Sequence, residues 1–329
     1  MRNYMHKSAR KICRCQGAAE LDAQSRFEYI DFISEQGFIN PCEGGWIMKK
    51  DSIITRDGIT LRYTRTGCGH PLILVPGWSQ SAAEFGRQID DLSSVATIYQ
   101  LDMRGHGKSD KPNHGYRISR LAADLYDTIT GLGLDSVDVL GHSMGCSVIW
   151  SYLDLFGPVH LRKLVLVDQA PTATSKPGWS SEDNLRYGVL FPTYQALAEF
   201  CGAVKATSDV AGTKELLRGM FTKAVSEKDL AWIADENLAL PRTHAVDLLF
   251  NHSLLDWRDQ IQRITLPTFV VGAEKSIFSA ESQRWIASVV PGAEVSIFAE
   301  AEGGSHFMFF ENPKRFNAEV KAFLTRTSP

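Results

Sequence analysis

From residue 48 onward, short apolar runs closed by glycine or proline alternate with longer stretches whose apolar residues recur every three or four positions. The runs PLILVPG, TIYQLDMRG, VDVLGHS and LRKLVLVDQAP lack the polar alternation of a half-exposed strand and read as strands buried on both faces. ISRLAADLYDTITGLGL and MGCSVIWSYLDLFG, which lie between them, carry the helical period. This order predicts an α/β fold, a mostly parallel sheet covered by helices on both faces. Upstream, MKKDSIITRDGITLRYTRTG predicts a two-stranded ribbon turning at Asp57-Gly58, a dipeptide suited to tight hairpins.

The alternation stops after Pro171. Residues 172 to 258 hold helical patterns and no strand-like run, and the strand signal returns at LPTFVVGAE and EVSIFAEAEGGSH, before a closing helix PKRFNAEVKAFL. The expected organisation is therefore a core built from residues 48 to 171 and 259 to 329, interrupted by a helical cap at 172 to 258. Residues 1 to 47 differ in character, with a basic start (HKSARKICRC) and one amphipathic segment (DAQSRFEYIDFISEQG), and read as an extension of unknown role. No internal repeat or low-complexity stretch is present.

Composition narrows the partners. With 44% hydrophobic and 22% charged residues the chain can bury an ordinary core, and a net charge of -3 offers no footprint for nucleic acid. No apolar run reaches membrane-spanning length, and the start lacks the apolar centre of a signal peptide. A cytoplasmic protein acting on a small molecule is expected, with no nucleic-acid or membrane partner and its oligomeric state open. The six cysteines (13, 15, 42, 68, 146 and 201) have no zinc-like spacing and read as reduced thiols.

The chemistry starts at Gly141-His142-Ser143-Met144-Gly145, a G-x-S-x-G pattern directly after an apolar run and directly before a helix. A tight strand-to-helix turn there exposes a serine hydroxyl at the sheet edge, and the helix start supplies free N-H groups for a developing oxyanion. The five-residue pattern is weak alone; its position between strand and helix makes it informative.

Here the chain resembles the α/β-hydrolase superfamily, and in particular its small esterase, lactonase and non-haem haloperoxidase-like branch. The resemblance runs from about residue 49 to the C-terminus and rests on LVPGWS (74 to 79), LDMRGHGKSD (101 to 110), LGHSMG (140 to 145), LVLVDQAP (164 to 171) and GGSHF (303 to 307). It implies Ser143 as nucleophile and, because the base comes last in this fold, His306 in its glycine-rich loop after the final strand. His106 reads as a turn residue, and His142, which in similar enzymes packs behind the nucleophile, is open between a structural and a functional role. His244 and His252, in or near the cap, could line the pocket, but solvated or core-satisfied histidines are the preferred reading.

The acid is open between two positions. The usual place in similar enzymes, three residues past the terminal glycine of LPTFVVG, is Lys275, which cannot serve. Either the register slips to Glu274, or the acid is Asp168 at the end of LVLVD, a relocation known in the fold and the preferred reading. Asp256 reads as a connector from cap to sheet. The Met144 and Trp78 backbone amides are the expected oxyanion donors, with Pro76-Gly77 standing where similar proteins usually carry His-Gly.

GHGKS fails as a phosphate-binding loop because its first required glycine is Asp102, and the aspartate nucleophile of epoxide hydrolases and dehalogenases would occupy position 143. The expected activity is serine-dependent cleavage of a moderately hydrophobic ester or lactone, with no cofactor and no metal. A carbon-carbon bond hydrolase, a perhydrolase or haloperoxidase-like activity, and a non-catalytic small-molecule receptor on the same scaffold are the alternatives.

Overall fold

The computed structural model describes residues 48–326. Its centre is one eight-stranded sheet: β1 Lys49–Ile54, β2 Thr60–Thr66, β3 His70–Val75, β4 Ala96–Leu101, β5 Val137–His142, β6 Leu161–Val167, β7 Thr268–Ala273 and β8 Glu294–Phe298. The spatial order is β1-β2-β4-β3-β5-β6-β7-β8. β1 and β2 form the expected antiparallel ribbon with Ile54 opposite Thr60, and β2 joins β4 antiparallel; every other pairing is parallel. β4, β5 and β7 are buried at every position, which is why they read as unbroken apolar runs.

The order has a consequence for function. The chain moves outward from β3 to β4, then returns to the other side of β3 to lay down β5. Between β3 and β5 the connections leave in opposite directions, and the crevice beyond the carboxyl ends of two such strands is where open α/β sheets bind ligands. Val75 pairs with Gly141 at that end, so the loops starting at Pro76 and Ser143 face each other across it.

Two apolar layers sandwich the sheet. Helix Ile118–Gly131 buries Ile118, Leu121, Ala122, Leu125 and Ile129, one face at helical spacing, and packs beside helix Met144–Phe156. The closing helix Pro313–Thr325 covers the opposite face with Phe316, Val320, Phe323 and Leu324. Its start is set locally: Pro313 needs no N-H at the first turn, and the Asn312 side chain accepts the Arg315 amide at 3.3 Å.

Between β6 and β7 the described chain forms five helices of seven or more residues: Ser181–Tyr187, Tyr194–Ala206, Val210–Leu217, Glu227–Leu238 and Arg242–Ser253. The first four begin on Ser180, Thr193, Asp209 and Ser226, each accepting a backbone N-H with its side chain. Asp256 pairs with Lys176 and Arg258, closing this helical insertion where it returns to the sheet. No described helix is long and apolar enough to cross a membrane. The amphipathic segment expected before residue 48, with Cys13, Cys15 and Cys42, lies outside the described residues.

Candidate active site

Ser143 sits between β5 and helix Met144–Phe156 with φ 51° and ψ -122°, a conformation costing about 1–3 kcal/mol that surrounding contacts must hold. Its amide donates to the Val167 carbonyl at 2.8 Å and its carbonyl accepts the Cys146 amide at 2.8 Å. The flanking glycines make the close packing possible. A Cβ on Gly145 would lie 2.3 Å from the Val75 carbonyl oxygen, and one on Gly141 would lie 2.7 Å from the Gly145 carbonyl carbon. The Cys146 thiol beneath is fully buried, bonds the Gly141 carbonyl at 3.1 Å, and is pushed upward in pKa by that burial.

His306 lies in the loop after β8, where the Met220 carbonyl accepts its amide at 3.1 Å. Its Nδ1 is 2.6 Å from Oδ2 of Asp168, which follows β6 in a left-handed backbone conformation (φ 49°) with its amide bonded to the Val271 carbonyl. The Ser276 hydroxyl donates to the same Oδ2. Burial works against charge on both partners. It pushes the Asp168 carboxyl up to about 8, against the Ser276 hydrogen bond and the nearby His142 ring, and holds the His306 imidazole well below the usual histidine range.

The structure brings Ser143, His306 and Asp168 to one place and leaves Glu274 out. Glu274 is exposed, and its carboxylate accepts the Glu300 amide at 3.2 Å. Lys275 is also exposed, with its amide on the Gly304 carbonyl. One residue further on, the same loop delivers Ser276 to the Asp168 carboxylate. The loop that would hold an acid thus contributes a hydroxyl instead.

The loop after β3 approaches Ser143 from the other side: a Cβ on Gly77 would lie 3.4 Å from Ser143 Cβ. The Gly77 amide is already taken by Glu84 Oε1 at 3.1 Å, and the Ser79 amide by His106 Nε2 at 3.2 Å. The Trp78 amide between them has no acceptor among the described residues, and the Met144 amide, at the first helical position, has none within its helix. His106 Nδ1 donates to the Arg104 carbonyl at 2.8 Å, which leaves Nε2 as acceptor; burial lowers its pKa to about 4 and keeps it neutral. Glu84 also meets His142 Nδ1 at 3.1 Å, and His142 Nε2 donates to the His306 carbonyl at 3.0 Å.

Residues 70–313 match the family model for the alpha/beta hydrolase fold. The chain belongs to that family. Non-heme chloroperoxidase CPO-A1 of Kitasatospora aureofaciens is 27% identical over 288 residues, covering 83% of this chain and 98% of the relative. N-formylmaleamate deformylase of Pseudomonas putida is 33% identical over 179 residues, 52% of this chain and 66% of the relative. Among solved structures, an esterase from Exiguobacterium antarcticum superposes with a TM-score of 0.76 at 24% identity, covering 84% of this chain and 99% of that one. An enol-lactonase from Burkholderia xenovorans superposes with a TM-score of 0.71 at 18% identity, covering 84% and 100%.

In this α/β-hydrolase, Ser143, His306 and Trp78 line one pocket roofed by the helical insertion. Its free space is small, about 50 Å³, room for a few water molecules. Leu190, Phe191, Phe200, Met220 and Phe278 make most of the wall apolar, and no lysine, arginine, aspartate or glutamate reaches it. The insertion is tied to the loop after β3 at three successive residues. Trp78 Nε1 donates to the Ala245 carbonyl at 2.8 Å, the Ser79 hydroxyl to the Asn237 carbonyl at 2.7 Å, and the Gln80 amide to the Ile233 carbonyl at 3.4 Å.

Besides Ser276, two side chains have roles the sequence reading did not assign. Glu84 is buried and holds Gly77, and His106 is a buried brace for Ser79 rather than a simple turn residue. The Pro76-Gly77 departure, which removes a usual bracing histidine, called for another brace without saying which residue supplies it. For His252 the structure favours the pocket-lining alternative over the preferred reading. The residue is buried, lines the pocket and leaves Nδ1 without a partner, so it is neither solvated nor satisfied by the core. His244, by contrast, stacks on Tyr116 at 4.1 Å and stays outside the pocket lining. No group of three or more metal-ligating side chains occurs among the described residues.

Proposed function

We propose that this hydrolase cleaves ester or lactone bonds of compact, uncharged small molecules through an acyl-enzyme on Ser143. The observation that carries the reading is the Asp168–His306 pair at 2.6 Å opening onto the same pocket as the strained Ser143 elbow. His306 Nε2 accepts the Ser143 proton as Oγ attacks the carbonyl carbon, and Asp168 holds Nδ1-H and stabilises the imidazolium. The Trp78 and Met144 amides receive the oxyanion. His306 then protonates the leaving alkoxide, and water, deprotonated by His306, releases the acid and restores the serine. The lack of charged lining residues and the small cavity favour short, uncharged acyl groups.

The chloroperoxidase relative, matched along most of both chains, supports a second use of the same intermediate, with hydrogen peroxide replacing water to give a peracid. The test is a panel of short-chain aryl esters and five- and six-membered lactones, with a fluorophosphonate label located by mass spectrometry. Turnover lost in Ser143→Ala and label on Ser143 are expected. Turnover retained in that variant, or label confined to another serine, ends the serine-hydrolase reading.

A further inference from the structure

The pocket holds a set of polar atoms that neither the proposed chemistry nor the protein itself uses. His252 Nδ1, Ser253 Oγ, Gln80 Oε1 and Asn237 Nδ2 are buried without hydrogen-bond partners among the described residues, and all four residues line the pocket beside Ser143. Each residue is more than nine-tenths buried: His252 is 6% exposed, Gln80 2%, Ser253 and Asn237 1%. A buried polar atom left unpaired is costly, and native proteins pair the great majority of them. Four such atoms in residues that line one cavity, with an otherwise apolar wall, mark where a ligand that parts the neighbouring side chains meets unpaired polar groups.

In Gln80 and Asn237 the other half of the side chain is already held, which fixes what remains on offer. The Gln80 NH2 rests on the Ile233 carbonyl, so its carbonyl oxygen is the free end. The Asn237 carbonyl accepts Arg242 Nη1 at 3.0 Å, so its NH2 is free. His252 and Ser253, the last two residues of helix Arg242–Ser253, add an imidazole nitrogen and a hydroxyl. Burial lowers the His252 pKa to about 4, so the ring is uncharged near neutral pH. The set therefore contains donors and acceptors but no charge, a match for a carbonyl, hydroxyl or carboxamide and a poor host for a carboxylate or ammonium.

We infer that His252, Ser253, Gln80 and Asn237 form a specificity subsite for a second, uncharged hydrogen-bonding group of the substrate, remote from the bond that is cut. The inference rests on the hydrolase reading for where that bond lies, and it narrows the substrate class to oxo-, hydroxy- or amide-bearing esters and lactones. A purely aliphatic acyl group would leave the four atoms unpaired in the complex. A partner of matching polarity pairs some of them, which raises its transition-state binding relative to the isosteric hydrocarbon.

Three 4-nitrophenyl esters of similar acyl length test this: pentanoate, 4-oxopentanoate and the monoester of succinate. The wild-type protein is expected to favour 4-oxopentanoate over pentanoate by about tenfold in kcat/KM, the scale of one good uncharged hydrogen bond, and to disfavour the succinate. In Ser253→Ala and His252→Leu the 4-oxopentanoate to pentanoate ratio should fall toward one. Binding is read separately, as the thermal shift of Ser143→Ala with 4-oxopentanamide against pentanamide. Equal or better use of pentanoate, or an unchanged ratio in both variants, overturns the subsite even while Ser143-dependent turnover upholds the hydrolase. If no ester is turned over but 4-oxopentanamide alone stabilises, the subsite stands and the hydrolase reading falls. If neither amide stabilises and no ester is cleaved, both fall.

Discussion

The backbone carbonyl of His306 accepts a hydrogen bond from the Nε2 of His142 at 3.0 Å, so the residue before the nucleophile holds the loop that carries the proposed base. The other nitrogen of the same ring faces Glu84 at 3.1 Å, and Glu84 also holds the Gly77 amide. One buried Glu84–His142 pair thereby sets the relative position of the loops on either side of Ser143. A carbonyl can only accept, so Nε2 must carry a proton, and the orientation of the ring is fixed by its two partners.

Breaking that pair at Glu84 should slow chemistry more than it weakens binding, because Glu84 does not line the pocket. In Glu84→Leu the Gly77 amide loses its acceptor and His142 Nδ1 its partner, and a decrease in kcat of about 10- to 100-fold is expected, from roughly 1.4–2.8 kcal/mol of misplacement. Glu84→Gln keeps an acceptor for Gly77 and should retain more activity than the leucine variant. Steady-state kinetics on a short-chain ester, with thermal melts to check folding, separates these. A Glu84→Leu protein that melts normally with kcat unchanged removes the positioning role.

Glu274→Gln should hydrolyse esters at close to the wild-type rate, because its exposed carboxylate meets only the Glu300 amide. Asp168→Asn should lose about 10³- to 10⁴-fold in kcat, since an amide NH2 facing Nδ1 forces the wrong histidine tautomer. Near-normal turnover in Asp168→Asn reverses the assignment of the acid.

Much of this geometry was legible in the sequence, and the limit is physical. β3 to β7 announced themselves because strands buried on both faces must be apolar throughout, and Ser143 because a strained elbow requires small neighbours. The Asp57-Gly58 hairpin turn followed from local chemistry as well, and His306 from the chain order that the resemblance implied. Glu84, His106 and Ser276 did not, since each acts through a partner far away in sequence: Glu84 on His142, His106 on Ser79, Ser276 on Asp168. A buried polar residue leaves no periodic signature, and its meaning depends on a partner that only the fold supplies. The same holds for His252, whose helix gave no reason to place it at a cavity.

Ser276→Ala should move the acid limb of the pH–rate profile upward. The working form of the site has Asp168 ionised and His306 neutral, and burial already pushes the Asp168 carboxyl up to about 8. The Ser276 hydroxyl donates to the charged form and so opposes that rise. Activity in the parent protein is expected to climb with pH toward about 8. Without the hydroxyl, the midpoint of that climb shifts to higher pH, and at pH 7 the variant is slower than at pH 9 by a larger factor than the parent. A pH profile of kcat/KM with the same midpoint in both proteins refutes this account of Ser276.

His106 should make stability depend on pH in a window set by its two states. Unfolded, its imidazole titrates near 6.5; folded, burial brings it down to about 4 and its Nε2 accepts the Ser79 amide. Between those values the unfolded chain binds the extra proton, so the histidine's contribution is complete above 6.5 and is lost as pH falls toward 4. The slope is at most about 1.4 kcal/mol per pH unit, or roughly 3 kcal/mol across the window. In His106→Asn that proton uptake is gone. The variant should therefore be less stable than the parent at pH 7.5, from loss of the Ser79 brace, with the gap narrowing steadily as pH is lowered to 4.5. Urea melts at four or five pH values measure the gap directly. A constant gap means His106 is protonated as easily in the folded protein as in the unfolded chain, contrary to its burial against the Arg104 carbonyl and the Ser79 amide.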